Sequence, residues 1–189
     1  MSSQIFEAQL REIQHGRSQV ALIHTPHTSW PLQPKSGLNL AMTPSTLRIS
    51  VLDSSFNPPT RAHLALASLP HYSQSAPSDS SSEYDARLLL LSVRNADKHL
   101  KLGDATHVQR MEMMLLLAHD IRDNNTAVAI IDEPTFVGKS TALIAFLRSH
   151  LLQLSLSPPA SVVSSIELSF VQGFDTLERL LSPRYYDSV

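Results

Sequence analysis

From residue 47 onward, continuous apolar runs alternate with stretches that have helical spacing. The apolar runs read as short strands buried on both faces, and they cover residues 47–53, 87–93, 127–132 and 165–173. The stretches that follow place apolar residues three or four apart and cover residues 60–69, 105–121, 139–154 and 174–181. Four strand–helix repeats of this kind predict an α/β fold, a parallel sheet with helices on both faces.

The first 46 residues have a different pattern, and we treat them as an N-terminal arm before a domain over 47–189. Residues 3–15 have helical spacing, residues 18–24 predict a short strand at a sheet edge, and 25–46 contain four prolines. A second loop is expected at 73–82, where serine dominates and apolar residues are scarce.

Composition narrows the class of protein. The 189-residue chain has 15 Lys+Arg and 17 Asp+Glu, so a net charge of -2 argues against a nucleic-acid binder. Cysteine is absent, which excludes disulfides, thiolate nucleophiles and Cys-ligated zinc. No apolar run reaches the roughly 20 residues of a membrane span, and the N-terminus does not resemble a signal peptide. We therefore expect a soluble protein of the cytoplasm or nucleus with no membrane partner, whereas nothing in the sequence indicates an oligomeric state.

Ligands of a parallel α/β sheet bind at the carboxyl ends of the strands, so the segments that follow the strands are the candidate site. The richest of these segments joins the first strong strand to its helix. Small Ser54 and Ser55 allow the backbone to approach an anion, Thr60 can cap the helix, and His63 lies about one turn further on. An ordinary Pro-Pro turn with a surface histidine is the alternative interpretation.

The segment SSFNPPTRAH at 54–63 resembles the first signature of nicotinamide mononucleotide adenylyltransferases, written G-S-F-N/D-P-x-T/H-x-x-H. These enzymes belong to the nucleotidylyltransferase superfamily, whose hallmark is an HxGH motif and whose sheet is Rossmann-like. The positions that match are Ser55, Phe56, Asn57, Pro58, Thr60 and His63, whereas Ser54 replaces the leading glycine. The resemblance implies that Asn57 and the backbone of 54–56 position phosphate, and that His63 donates to phosphate oxygens.

Two further segments resemble the same family. Ala105, Thr106, Arg110 and Met113 fit its A-[ST]-x-x-x-R-x-x-M pattern, which follows a lysine-bearing loop. By resemblance, Lys98 or Lys101 in that loop would meet phosphate, although either could be a solvated charge.

The third segment comes at the end of the last predicted strand, where Gly173 and Asp175 match the Gly-x-Asp of the family. The resemblance assigns this carboxylate to the nucleotide ribose. A helix cap is the alternative role, and Asp175 could fill both.

One rival motif is a P-loop at 133–141, where Gly138-Lys139-Ser140-Thr141 follows a predicted strand. Glu133 stands in place of its first glycine and would repel phosphate. We therefore expect an ordinary helix that begins at Lys139, with Ser140 or Thr141 near its cap. No histidines have the spacing of a metal site, so any Mg²⁺ would be carried by ATP phosphates.

The resemblance implies an enzyme that uses ATP and nicotinamide mononucleotide to make NAD and pyrophosphate. The last signature of the family, I-S-S/T-T-x-x-R, is absent from these 189 residues. We accordingly expect a truncated or divergent member, of a fungal type, that lacks the final strand–helix unit. The alternatives are a catalytically impaired protein that binds a nucleotide or a partner, and an adenylyltransferase with another phosphorylated acceptor.

Overall fold

A computed structural model describes residues 2–34, 45–70, 84–94, 103–154 and 163–182. The five helices in these ranges are α1 (Ser2–Gln14), α2 (Arg61–Ala67), α3 (His107–Asp120), α4 (Phe136–Leu154) and α5 (Phe174–Leu181). The five strands are β1 (Val20–His24), β2 (Thr46–Asp53), β3 (Ala86–Ser92), β4 (Thr126–Ile131) and β5 (Ser165–Val171). The predicted serine-rich loop at 73–82 lies outside the described residues.

The strands form one sheet in the order β1-β4-β3-β2-β5. Neighbours among β2 to β5 are parallel, as the apolar runs predict, while β1 pairs antiparallel with β4. The predicted strand at 18–24 is thus confirmed, and it occupies the edge farthest from β5. The sheet is mixed and mostly parallel, which refines the α/β fold expected from the sequence.

Both faces of the sheet are covered by helices. One face packs against α1, α2 and α3, and its buried side chains include Phe6, Ile13, Leu52, Ala67, Leu89, Met111, Met114 and Val128. The other face packs against α4, with Trp30, Ile49, Val51, Leu88, Leu90, Ala129, Leu143 and Leu147 buried between them. The pleat sends alternate residues of a strand to opposite faces, so Asp53 lies on the same face as Val51, toward α4.

The N-terminal arm is fastened to the amino ends of the central strands. Trp30 is fully buried, and its indole N–H donates to the carbonyl oxygen of Asn125 at 3.1 Å. The Asn125 amide in turn donates to the carbonyl oxygens of Pro31 and Asp85. These bonds satisfy polar groups that burial would otherwise penalise, so arm and sheet share one core.

The direction of the crossovers creates a switch point beside β2. The chain passes from β2 to β3 on one side, whereas β5 pairs with β2 on the other side. In open parallel sheets, the crevice at such a point is where ligands bind. The carboxyl ends of β2 and β5 therefore bring the segments that follow Asp53 and Val171 to neighbouring positions.

Candidate functional site

His63 faces the loop that leaves β2, and its ring is held through both nitrogens. The backbone N–H of Thr60 donates to His63 Nδ1 at 2.9 Å, so this nitrogen is an acceptor and the neutral ring carries its proton on Nε2. Nε2 lies 2.9 Å from the Oγ of Ser54, the residue that follows β2. The histidine therefore presents one N–H donor, with its tautomer fixed, at the carboxyl edge of the sheet.

The electrostatics of His63 favour the neutral ring. Partial burial lowers the pKa of His63 below the 6.5 of a free histidine, and the negative charge of Asp175 opposes that shift by raising it. This coupling also shows that Asp175, from the β5–α5 junction, lies within electrostatic range of the histidine. Above the lowered pKa the ring donates a hydrogen bond as a neutral group.

The Phe56 side chain is buried in the core and holds the loop in place. Its side chain is fully buried and packs against the His63 ring at 5.2 Å between centroids. Its φ of 45° lies in the left-handed region, which costs a residue with a side chain about 1–3 kcal/mol. The expectation that Phe56 contributes backbone to the loop is compatible with this geometry, because its side chain is committed to the core.

Asn57 is occupied by protein partners. Its amide nitrogen donates to Asp104 Oδ1 at 3.0 Å, and its carbonyl oxygen accepts from the Ala105 N–H at 3.1 Å. Asn57 thus joins the loop after β2 to the segment before α3, 47 residues further on. The Asn57 side chain therefore holds two loops together. The sequence predicts a phosphate contact for Asn57 and does not predict this role.

Arg110 stabilises the same junction between the loop after β2 and the segment before α3. The guanidinium is buried, and it donates to the carbonyl oxygens of Ala105 at 2.8 Å and Ser55 at 3.4 Å. It also lies 3.8 Å from Asp104 Oδ2. The two segments that resemble the family are therefore connected through one buried cation.

Gly173 and Asp175 form the start of α5. The Gly173 carbonyl oxygen accepts from the N–H groups of Thr176 and Leu177, so Gly173 occupies the cap position. Asp175 lies in the first turn, and its carboxylate folds back over the glycine, where a Cβ would come within 2.8 Å of Oδ1. The alternative role of Asp175 as helix cap is wrong in this geometry, because Gly173 holds that position and the Asp175 side chain is exposed.

Lys98 and Lys101, the predicted phosphate-binding lysines, lie outside the described residues. Of their segment, Arg94 is described, and its guanidinium makes two contacts to the Asp132 carboxylate at 2.7 and 3.2 Å. This pair joins the carboxyl ends of β3 and β4.

The helix after β4 begins earlier than predicted, and this changes the interpretation of the P-loop-like segment. α4 starts at Phe136, because Thr135 Oγ1 accepts from the Gly138 N–H at 3.1 Å and caps the helix. Glu133 Oε1 accepts from the Thr135 N–H at 3.0 Å and from its hydroxyl at 2.8 Å, and these bonds lower the pKa of Glu133. The predicted start at Lys139 is wrong, and so is the expected cap at Ser140 or Thr141.

The Glu133 carboxyl group also lies against Gly138, where it fills the space that a side chain would need. A P-loop needs that space and those N–H groups for phosphate. The segment is therefore not arranged as a phosphate loop.

Two side chains at the carboxyl edge make contacts that the sequence does not predict. Lys139 forms a buried ion pair with Asp53, the last residue of β2, at 2.5 Å. His107, the first residue of α3, is half-buried, and burial and the charge of Arg110 lower its pKa while a bond to the Val93 carbonyl raises it. Both contacts are long-range, so the local pattern carried no sign of them.

Two surface cavities lie among the described residues, one next to the candidate site and one far from it. One of about 290 Å³ lies between α2 and α3 and is lined by Pro58, Leu64, Met113 and Leu116 among others. Another of about 520 Å³ lies at the opposite end of the sheet beside Arg87 and Asp123. Within the described ranges, no three His, Asp or Glu side chains are grouped to hold a metal ion. No helix in the described part of the chain has the length and hydropathy to cross a bilayer.

Comparison with known proteins gives one informative likeness. The chain is 36% identical over 139 residues to a Schizosaccharomyces pombe protein named "Putative nicotinamide mononucleotide adenylyltransferase". The aligned segment covers 73% of this chain and 44% of that protein, so the chain spans less than half the length of this curated relative. No family model and no solved structure matches the chain. At modest identity, the likeness supports the nicotinamide mononucleotide adenylyltransferase family that the three sequence motifs resemble.

Proposed function

We propose that this chain binds ATP at the carboxyl edge of β2 and β5 and transfers its adenylyl group to nicotinamide mononucleotide. The products would be NAD and pyrophosphate, which would make the protein a nucleotidyltransferase of NAD biosynthesis. The observation that carries the proposal is the His63 Nε2–H donor, whose tautomer is set by Thr60 and which meets Ser54 at the end of β2. The three motif segments and the likeness to the yeast protein support it.

The reaction requires alignment more than proton transfer. An oxygen of the mononucleotide 5′-phosphate attacks the α-phosphorus of ATP, a new P–O bond forms, and the bond to the bridging oxygen breaks as pyrophosphate leaves. The nucleophile is already anionic, so no general base is needed. Catalysis then comes from positioning and from neutralising charge on the phosphate oxygens.

His63 would be the main donor to the α- and β-phosphate oxygens. Ser54 Oγ now accepts the proton of Nε2, so a phosphate oxygen would either replace this hydroxyl or receive its free O–H. The backbone of Ser54–Phe56 would line the phosphate, Thr60 would hold the ring of His63, and Asn57 would keep the loop in place through Asp104.

The remaining groups would bind the rest of the nucleotide. Asp175, beside Gly173, would accept hydrogen bonds from the ribose hydroxyls. Lys98 or Lys101 would neutralise phosphate charge. Mg²⁺ would arrive as part of the ATP complex, held mainly by phosphate oxygens.

The experiment is an assay of the full 189-residue chain with Mg²⁺-ATP and nicotinamide mononucleotide, in which NAD is detected directly. We expect NAD and pyrophosphate in equal amounts. Other phosphorylated acceptors, supplied in parallel, test whether a different product forms faster. If ATP binds by calorimetry but no acceptor reacts, the chain is a nucleotide-binding relative without catalysis; if ATP does not bind, the proposal is wrong.

A further inference from the structure

A buried ion pair lies directly beneath the loop to which we assign the phosphates. Lys139 Nζ contacts Asp53 Oδ2 at 2.5 Å, and the two side chains are only 7% and 11% exposed. Asp53 ends β2, and the next residue is Ser54, whose hydroxyl meets His63. The ion pair therefore lies at the switch point, next to the loop at 54–57.

The surroundings of the pair explain why it holds one geometry. The other carboxylate oxygen of Asp53 faces the Ser92 hydroxyl at 3.4 Å, at the end of β3. The ammonium of Lys139 lies 5.3 Å from the centre of the Phe136 ring, which packs edge-on against Phe170 of β5. Lys139 thus links the first turn of α4 to the end of β2, and its partners Asp53 and Phe136 in turn contact β3 and β5.

The negative charge of Asp53 would weaken the binding of an anion to the neighbouring loop. It follows β2 immediately into the loop, and consecutive Cα atoms are only about 3.8 Å apart, so an uncompensated charge there would repel phosphate at 54–57. Water cannot screen it well because the side chain is buried. A cation held against this carboxylate removes the repulsion.

We propose that Lys139 is a positioning residue that neutralises Asp53, so that the loop at 54–57 can accept a phosphate. The inference rests on the proposed function, because it assigns the phosphates to this loop. It also gives a role to the Gly-Lys-Ser-Thr segment: its lysine serves the phosphates of a neighbouring loop through a carboxylate, without a P-loop.

The test measures the dissociation constant of Mg²⁺-ATP by calorimetry on the full chain and three variants. Lys139→Met removes the cation that offsets the Asp53 carboxylate, and we expect ATP to bind about tenfold more weakly. Asp53→Asn leaves the cation uncompensated, so affinity should stay equal or increase. The double variant Asp53→Asn/Lys139→Met restores neutrality and should return to within about threefold of the wild type.

A matched control variant separates an effect on ATP binding from a loss of protein stability. Arg87 pairs with Asp123 at 2.6 Å and is similarly buried, but it lies at the amino end of β3, away from the loop. Arg87→Met should lower the unfolding temperature and leave the ATP dissociation constant of the folded protein unchanged.

Each pattern of results decides the question. Recovery in the double variant, with Arg87→Met unchanged, supports the inference. If the double variant binds as weakly as Lys139→Met, then Lys139 contacts the nucleotide itself and the inference is overturned. If Asp53→Asn weakens binding as much as Lys139→Met, the carboxylate serves the ligand and the inference fails likewise. A wild-type chain that binds no ATP overturns the proposed function and this inference together, whereas the other two failures leave the proposed function standing.

Discussion

Replacing Asn57 with Asp would place a second carboxylate beside Asp104, at a junction that Asn57 now holds with two hydrogen bonds. Asn57 Nδ2 donates to Asp104 Oδ1 at 3.0 Å, and the Asn57 carbonyl oxygen accepts from the Ala105 N–H. The substitution preserves the acceptor and converts the donor into a second negative oxygen. The family signature allows Asn or Asp at this position. The loss of stability that we expect therefore comes from the partners of Asn57 in this chain.

The magnitude follows from the distance. Two unit charges 3.0 Å apart repel by about 5.5 kcal/mol at an effective dielectric constant of 20. Asp104 is 31% exposed and lies 3.8 Å from the Arg110 guanidinium, so solvent and the cation reduce the repulsion. We expect Asn57→Asp to lower the free energy of unfolding by about 2–4 kcal/mol at pH 7.5.

The loss should depend on pH in a definite direction. The neighbouring carboxylate raises the pKa of the introduced carboxyl group in the folded state above its unfolded value. The penalty is therefore complete above the folded-state pKa and decreases as the pH falls from that value toward the unfolded-state pKa, because the pair can then share a proton. Relative to Asn57→Ala, the Asp variant should recover stability between pH 7.5 and pH 5.

The assay is urea unfolding of both variants and the wild type at the two pH values. Asn57→Ala removes the same hydrogen bonds without adding charge, so it should lose about 1–3 kcal/mol with no extra pH dependence. Equal losses for Ala and Asp at both pH values would refute the account of this junction.

Two other changes test the electrostatics of the site and the attachment of the arm. Asp175→Asn removes the charge that raises the pKa of His63, so the pKa should fall further below 6.5, as followed by NMR titration of the ring; an unchanged or higher pKa would place Asp175 elsewhere. Because the folded-state pKa is the lower one, the unfolded chain binds more protons as the pH drops below 6.5, and His63 should make acidification destabilising. Trp30→Ala empties a fully buried position and removes the bond to the Asn125 carbonyl, so urea unfolding should show a loss of about 3–5 kcal/mol; a loss under 1 kcal/mol would mean that the arm contributes little to the core.

The spacing of apolar residues predicts the helices and strands well because each segment carries its own pattern. The apolar run at 47–53 became Thr46–Asp53, and the helix at 174–181 became Phe174–Leu181. Strands buried on both faces leave continuous apolar runs, and helices leave a period near 3.6, so both signals survive without knowledge of the neighbours.

Helix α4 shows where local reasoning failed. The helical spacing at 139–154 predicts a start at Lys139, whereas Thr135 caps the helix and Glu133 accepts a hydrogen bond from the Thr135 hydroxyl. The Thr-x-x-Gly spacing was present in the sequence, but a serine or threonine near a helix start has several competing roles.

The sequence predicts a candidate site only in outline, and it does not predict the side-chain contacts between the loops of that site. Strand ends and motif letters indicate which loops to consider. The partners of Asn57 and Lys139 lie 47 and 86 residues away, and such contacts depend on the order of strands in the sheet. The resemblance implies that Asn57 positions phosphate, and it gives no indication of the hydrogen bond to Asp104.

The proposed role of His63, a hydrogen-bond donor to phosphate oxygens during adenylyl transfer, is tested by comparing the turnover of three proteins. The kcat for NAD formation is measured for the full chain, for His63→Ala, and for His119→Ala, an exposed histidine at the end of α3. Loss of one preorganised donor should lower kcat by about 10²–10³-fold in His63→Ala, while His119→Ala should match the wild type. A His63→Ala variant as active as the wild type would contradict the account.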